Sequence, residues 1–379
     1  MANLFYTPSQ TSESTSTTMS QTSPSCGNTL NLDNLHFTAD ELRSLNELVV
    51  TAVLESPELS QLYTLYTGIK NDKRIGIISG TFGLVGKAAQ SCDPVAQCYE
   101  NPAVEKTWSP KYHEIIIDMC VDEVSDSLMR LALKCGTDVY DLTKTEIFAF
   151  IQDILVKDIK KMIFRSAWFG DVDATNAPVG ALTPGIDPDF FNIIDGYWKQ
   201  LAAIYAADTD RLTALPGNTQ VTTALQFSVA TPILMFNAVN SVIDSAIPEL
   251  AQQPDRILLV TRSVFDRLRR YLQTVGTVFQ DYKLMVDGIE MATWDGIQMV
   301  SLPLWDQNIR SYFNDGTKLD NPHRVLYTTK SNLALGMACT SLFDNVNSFY
   351  DQKSRYNRIE ATDAFDVKII DDRLVQVGM

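Results

Sequence analysis

Residues 169–180, FGDVDATNAPVG, carry two carboxylates and a hydroxyl at alternate positions: Asp171, Asp173 and Thr175. A DxDxT spacing suits phosphoryl transfer, with the first carboxylate as nucleophile and the second beside a magnesium ion. The same acids begin like a calcium loop, but that loop needs glycine at its sixth position and glutamate at its twelfth, which here are Asn176 and Leu182. A second candidate is SGTFGLVGKA, residues 79–88, which follows a strand-like segment as a phosphate-binding loop does. Five residues instead of four separate Gly80 from Gly86, and Ala88 stands where a magnesium-holding Ser or Thr belongs. Both departures fall on the groups that would do the binding, so this loop is not expected to cradle a phosphate.

The other reactive side chains are sparse. Six cysteines (Cys26, Cys92, Cys98, Cys120, Cys135, Cys339) include no CxxC pair, and three histidines are too few to complete a zinc set. Free thiols in a reducing compartment are expected, since the amino-terminal residues have no basic start followed by an apolar block. No Ser-His-Asp or Cys-His grouping stands out. The formal charge is −15, from 46 acidic and 31 basic residues, which argues against a chain whose main work is gripping nucleic acid. No apolar run approaches the roughly 20 residues that span a bilayer, so no membrane partner is expected.

The elements that must hold these residues decide between the readings. Residues 1–29 contain fourteen Ser or Thr and cannot nucleate a core. TADELRSLNELVVTAVL (38–54) reads as an amphipathic helix with a Thr38–Glu41 capping box. Residues 69–110 lack helical periodicity and read as a long extended hairpin or arm that finds its partners outside its own domain. In KYHEIIIDMCVDEV, His113, Ile115, Ile117, Met119 and Val121 share one strand face, which makes His113 a strand residue before a ligand. A helix is expected near 123–134. TKTEIFAFIQDILVKDIKKMIFRSAWFG is the clearest element, a helix opened by a Thr143–Glu146 capping box, striped by Ile147, Ile151, Leu155, Ile159 and Ile163, and ended by Gly170. Further helices are expected over PDFFNIIDGYWKQLAAIYAA, over ATPILMFNAVNSVIDSA with Thr231 as cap and Pro248 as its close, and around SVFDRLRRYL. RILLVT, YKLMV, IQMVSL and HRVLYTT read as strands, as does the tail from Lys353 onward. The class is α+β without repeats or regular βαβ alternation.

An aspartyl nucleophile of the haloacid-dehalogenase type must stand at the carboxyl end of a buried parallel strand. Asp171 follows a capped, charged helix instead. Asp371 and Asp372 could imitate that family's later acids, but its Lys and Ser/Thr motifs cannot be placed in order. The order of parts resembles another family: an amino-terminal arm, extended hairpin, strand, long helix, Gly/Asp turn, mixed block and closing strands. The long helix running into FGDVDATNAPVGALTPG is similar to the spine helix and Gly-Asp-Gly-Thr-like turn of the tailed-bacteriophage major capsid proteins of the Hong Kong 97-type fold. Val172-Asp173 stands in for that turn's second glycine, and Pro178-Val179-Gly180-Ala181-Leu182 supplies the step into the axial domain. RILLVTRSVFDRLRRYL, DGIQMVSLPLW (a strand into a proline turn) and HRVLYTTKSNLALGM resemble its later strands and helix.

The resemblance implies a Hong Kong 97-like α+β fold. Its parts would be a flexible N-arm (1–36), N-terminal helices (37–68), an E-loop (69–110), a peripheral domain (111–179) with a spine helix at 144–169, and an axial domain (180–339). Peripheral strands (340–365) and a C-terminal strand (366–379) would complete it. It implies a structural protein, with no catalytic site and no cofactor, that closes into hexamers and pentamers of an icosahedral shell around double-stranded DNA. Portal, scaffolding or decoration proteins would be further partners, and the virion its location after assembly in the host cytoplasm. Lys70, Lys73, Arg74, Phe82 and Lys87 are then the candidate inter-subunit contacts on the arm. An encapsulin-like cargo compartment is the alternative, and an Asp-dependent phosphate hydrolase the more remote one.

Overall fold

The structure, a computed structural model, describes residues 62–69, 73–78, 103–120, 146–174, 182–276, 283–284, 290–338, 346–354 and 356–379. The capping boxes at Thr38 and Thr143, the helix expected near 123–134, and the candidate contacts Lys70, Phe82 and Lys87 lie outside these residues.

Two mixed sheets and a separate hairpin organise the described chain. The first sheet gathers strands far apart in sequence: β1 (Thr64–Tyr66), β4 (Lys111–Cys120), β11 (Leu333–Met337), β12 (Val346–Asp351) and β13 (Tyr356–Ile369). β13 is its spine, fourteen residues long, antiparallel to β11 and β12 and also to β4, where Asp363 lies opposite His113. The alternation expected for β4 holds from Tyr112 to Ile117: His113 is buried and Ile115 and Ile117 partly so, while Tyr112, Glu114 and Ile116 face outward; the Met119 side chain and Val121 lie outside the described residues. β1 is a difference from the sequence reading, which kept helix to residue 68. It pairs in parallel with β11, and that ladder outweighs local propensity over three residues.

The second sheet orders β5 (Leu212–Thr213), β14 (Val375–Gly378), β10 (Val325–Thr329), β6 (Arg256–Val260), β9 (Ile297–Ser301), β8 (Glu290–Trp294) and β7 (Lys283–Leu284). It is covered on both faces. Ile257, Leu259, Val300, Leu326, Val375 and Val377 join the core shared with the long helix α1 (Glu146–Phe169), through Leu155, Ile159, Ile163, Phe164 and Trp168. The opposite face, Leu258, Val260, Met299, Val325 and Tyr327, packs against Met235, Val239, Val264, Phe265 and Leu268 from helices α4 (Pro232–Asp244) and α6 (Arg262–Val275). Burial on both faces is why these strands read as continuous apolar runs. The strand pairing cuts across two boundaries drawn from sequence. Leu333–Met337 belongs to the first sheet, and Tyr356–Ile369 runs unbroken through 365/366.

α1 begins at Glu146 among the described residues and ends at Phe169, and its 24 residues span about 36 Å. The segment after it differs from expectation: Pro188–Phe190 is a 3₁₀ turn, and α2 (Tyr197–Ala207) starts only after Gly196. Gly196 sits against the backbone of α1, where a Cβ would come within 2.8 Å of the Gly170 nitrogen, so the chain must bend there before a helix can start. Two proline readings also change. Pro248 opens the short α5 (Pro248–Ala251), whereas α4 has already ended at Asp244. Pro303, expected to make a turn, occupies the first turn of α7 (Pro303–Tyr312), where its missing N–H costs nothing. Thr231 precedes α4 with extended backbone, but its hydroxyl makes no capping bond.

Among the described residues, the hairpin of β2 (Arg74–Ile78) and β3 (Ala103–Thr107) pairs with neither large sheet. Its root is fixed. Ile69 and Trp108 are buried with Ala334 in a small cluster, pressed so closely on Gly336 that a Cβ there would meet Ile69 Cδ1 at 2.6 Å and Trp108 at 2.7 Å. Lys106 Nζ adds a bond to the Ile369 carbonyl at 2.7 Å and an ion pair with Asp372.

Candidate functional site: a helix junction and a buttressed elbow

The DxDxT acids lie where α1 stops. Gly170 ends the helix as expected, but for a different reason from a left-handed backbone: a Cβ would meet the Ile194 and Ser166 carbonyl oxygens at 2.4 and 2.5 Å. The two strands of chain cross there, with Asp171 N–H donating to the Phe191 carbonyl and Gly196 N–H to that of Gly170. Asp171 folds back on its own turn, its Oδ1 accepting from the Asp173 N–H at 3.0 Å, while Asp195 accepts from the Val172 N–H. Lys199, on the first turns of α2, reaches both Asp171 (2.8 Å) and Asp173 (3.2 Å). Asp171 raises the Lys199 pKa most, with burial opposing and Asp173 adding to the rise. This is an Asx turn pinned by a lysine, with no parallel strand delivering the aspartate. Lys199 escaped the sequence reading because it stands 26 residues from Asp173.

Behind the turn, aromatic rings fill the space between the helices. Trp168 lies 4.6 Å from Trp305 and 4.9 Å from Tyr197, and donates its Nε1–H to Tyr63 Oη. Tyr197 Oη in turn donates to the Ala334 carbonyl at 2.9 Å. Arg324 closes this cluster, its guanidinium 4.9 Å from Trp198 and 5.4 Å from Phe169, bonded to Asp320 at 3.1 Å. The cluster ties α1, α2, α7 and β10 into one block.

A second constellation has the residue types of nucleophilic catalysis. Ser263 Oγ lies 2.8 Å from His323 Nδ1, and Asp306 is close by. The hydrogen bonds assign other roles. His323 Nε2 is taken by the Gln226 carbonyl at 3.2 Å, and Asp306 accepts from the Arg262 and Ser263 backbone N–H groups at the start of α6. Burial lowers His323 to about 4, and burial pushes Asp306 up to about 6. His323 is fully buried, so a substrate has no approach to the pair.

These groups buttress an elbow between α3 (Thr223–Val229) and α4, which meet at 79°. Gln226 exchanges hydrogen bonds with the Leu319 backbone (2.8 and 3.0 Å), and Asn218 does the same with His323 (2.7 and 3.0 Å). Arg267, from α6, donates to the Ser263 carbonyl of its own helix and to the carbonyls of Phe227 and Ala230, which satisfies groups freed where α3 ends. The fixed pairings of amide with backbone leave α3 one position.

Of the candidate arm contacts, Lys73 and Arg74 are exposed at the root of the hairpin. The Lys73 carbonyl accepts the Trp108 N–H, and Arg74 pairs with Glu105 at 3.1 Å. Arg74 therefore carries a local counter-charge that the sequence reading did not assign. The described acids Asp371 and Asp372 pair with Arg373, two residues on, and with Lys106 at the hairpin root.

No protein-family model and no curated protein matches the chain. Solved structures do. A chain of Gordonia phage Cozz aligns over 87% of this chain and 88% of its own, at 9% identity and a TM-score of 0.50. The asymmetric unit of the bacteriophage PhiM1 mature capsid aligns over 87% and 89% at 10% identity and 0.48, and the holo-SrpI encapsulin complex of Synechococcus elongatus over 91% and 95% at 11% identity and 0.44. At such identities the likeness speaks for the fold alone. The chain has the fold of the tailed-bacteriophage major capsid proteins, the Hong Kong 97-type fold.

Proposed function

We propose that the chain is a shell-forming subunit that assembles through hexamers and pentamers into an icosahedral capsid enclosing double-stranded DNA. The observation that carries this reading is the β2–β3 hairpin: among the described residues it is paired only with itself, yet rooted by Trp108, Ile69 and Lys106. A two-stranded ribbon is at best marginal alone, and it gains stability by burying its faces on another subunit. Rings of head-to-tail contacts provide that. The acidic charge suits a wall that must lie near DNA without adhering to it. Portal, scaffolding and decoration proteins are the further partners of such a shell, formed in the host cytoplasm.

Electron microscopy of the purified chain tests the proposal. Rings, shells or tubes are expected at high protein concentration. Only small monodisperse particles would sink it, and shells isolated with a cargo enzyme inside in place of DNA would favour a cellular compartment.

A further inference from the structure

The α3–α4 elbow leaves an apolar face open. Val221 (68% exposed), Leu225, Val229, Ile233 (55%) and Leu234 all present side chains to solvent. Contiguous apolar patches of ~300–600 Å² on a single chain often mark a functional surface. The sequence around them is unusual in a second way. Residues 212–243 contain no Asp, Glu, Lys, Arg or His, although charged residues make up 20% of the chain, which would place about six in 32 positions. Three other outward apolar side chains differ in setting: Tyr112, Ile116 and Phe349 stand among Glu114, Asp118, Arg358 and Glu360, with Arg358 and Asp118 paired at 2.6 Å.

Two arguments identify the occupant. A nucleic acid or a charged protein would be met by opposite charge, and the segment that carries these five side chains offers none of its own. A second copy carries the same formal charge of −15, so copies repel wherever acidic surface meets acidic surface, and a charge-free apolar face is where that opposition is least. The elbow is also built to hold its shape. Gln226, Asn218, His323 and Arg267 fix its backbone from beneath, so little ordering cost remains to be met on contact.

We infer that Val221, Leu225, Val229, Ile233 and Leu234 form a contact surface for a second copy of this chain. The inference rests on the shell reading and names one of its interfaces. The full chain is compared with Ile233→Glu and Val221→Glu, and with Ile233→Ser, whose neutral side chain keeps the comparison open if a charged variant fails to fold. Circular dichroism and Tm report the fold, light scattering against concentration reports assembly, and electron microscopy reports rings and shells. The charged variants are expected to keep the parent Tm and to raise the concentration of half-assembly by about tenfold or more, with a smaller rise for Ile233→Ser. Normal assembly of all three variants would overturn the inference and leave the shell reading standing. Failure of the parent chain itself to assemble would remove the shell reading and this interface with it. Normal assembly with a lowered variant Tm would assign the face to another segment of the same chain. Capture of the parent, but not the variants, by phosphatidylcholine vesicles with assembly unchanged would assign it to a lipid surface; the bent α3–α4 pair together has the length and composition of a membrane span, though no single described helix does.

Discussion

His113 and His323 are both buried in ways that exclude a proton. The His113 ring stacks on Phe365 at 4.0 Å and its Nε2 faces no acceptor, while His323 is enclosed by Ser263, Phe227 and the Gln226 carbonyl. Burial lowers each to about 4, against an ordinary value of 6.5. The unfolded chain thus binds protons that the folded chain refuses: stability is full above pH 6.5 and falls as pH drops towards 4, by up to ~3 kcal/mol for each ring. Asp306 acts in the opposite sense, because its raised pKa gives a contribution present at low pH and lost as pH rises through about 6. His113→Phe keeps the stack and removes one titrating ring. Its Tm should fall less steeply than the parent's between pH 6.5 and 4, and parallel curves would exclude His113 as a source of acid sensitivity. At the α1 junction the acids and the glycine carry different weights. Asp171→Asn with Asp173→Asn removes solvent-accessible ion pairs to Lys199 and should cost below ~1 kcal/mol in urea unfolding. Gly170→Ala drives a Cβ into two backbone oxygens and should cost about 2–4 kcal/mol. Magnesium-dependent phosphate release that vanished with the two asparagines would return the acids to chemistry.

The element that most shapes the functional reading is the β2–β3 hairpin. Its anchor is on the body, at Ile69, Trp108, Ala334 and Gly336, and its pairing is internal. Replacing residues 75–105 with a short Gly/Ser linker keeps that anchor and Lys106. The expected product is a folded protomer, with circular dichroism and cooperative melting close to the parent, that forms no shells. Global unfolding would show the hairpin to be core. Trp108→Ala separates the two roles, and should cost about 3–5 kcal/mol because it empties the anchor.

For the whole molecule, charge sets the balance. Copies with a formal charge of −15 repel through water, and added salt shortens the reach of that repulsion from about 10 Å at 0.1 M to about 3 Å at 1 M. Raising sodium chloride across that range should lower the concentration at which light scattering reports half-assembly. A rise instead would mean that attractive ion pairs dominate the contacts. α1 and the alternation along Lys111–Cys120 were legible in the sequence because their apolar periods of 3.6 and 2 follow directly from residue spacing, and the strands Arg256–Val260 and Val325–Thr329 because burial on both faces leaves short continuous apolar runs. The Asx turn at Asp171 was legible for the same local reason. Three features were not: the three-residue strand at Thr64–Tyr66, the helix begun by Pro303, and the delay of α2 to Tyr197. Each depends on a distant partner, namely β11, the Trp168 cluster around Trp305, and the backbone crossing at Gly170. The sequence by itself determined the charge, the helical and strand periods, and the absence of charge from residues 212–243. Only the tertiary structure decided that Lys199 pins the acids, that Ser263 and His323 face inward as a brace, and that the charge-free segment turns an apolar face outward. Such contacts join residues tens of positions apart, and chain order alone does not encode which of them meet.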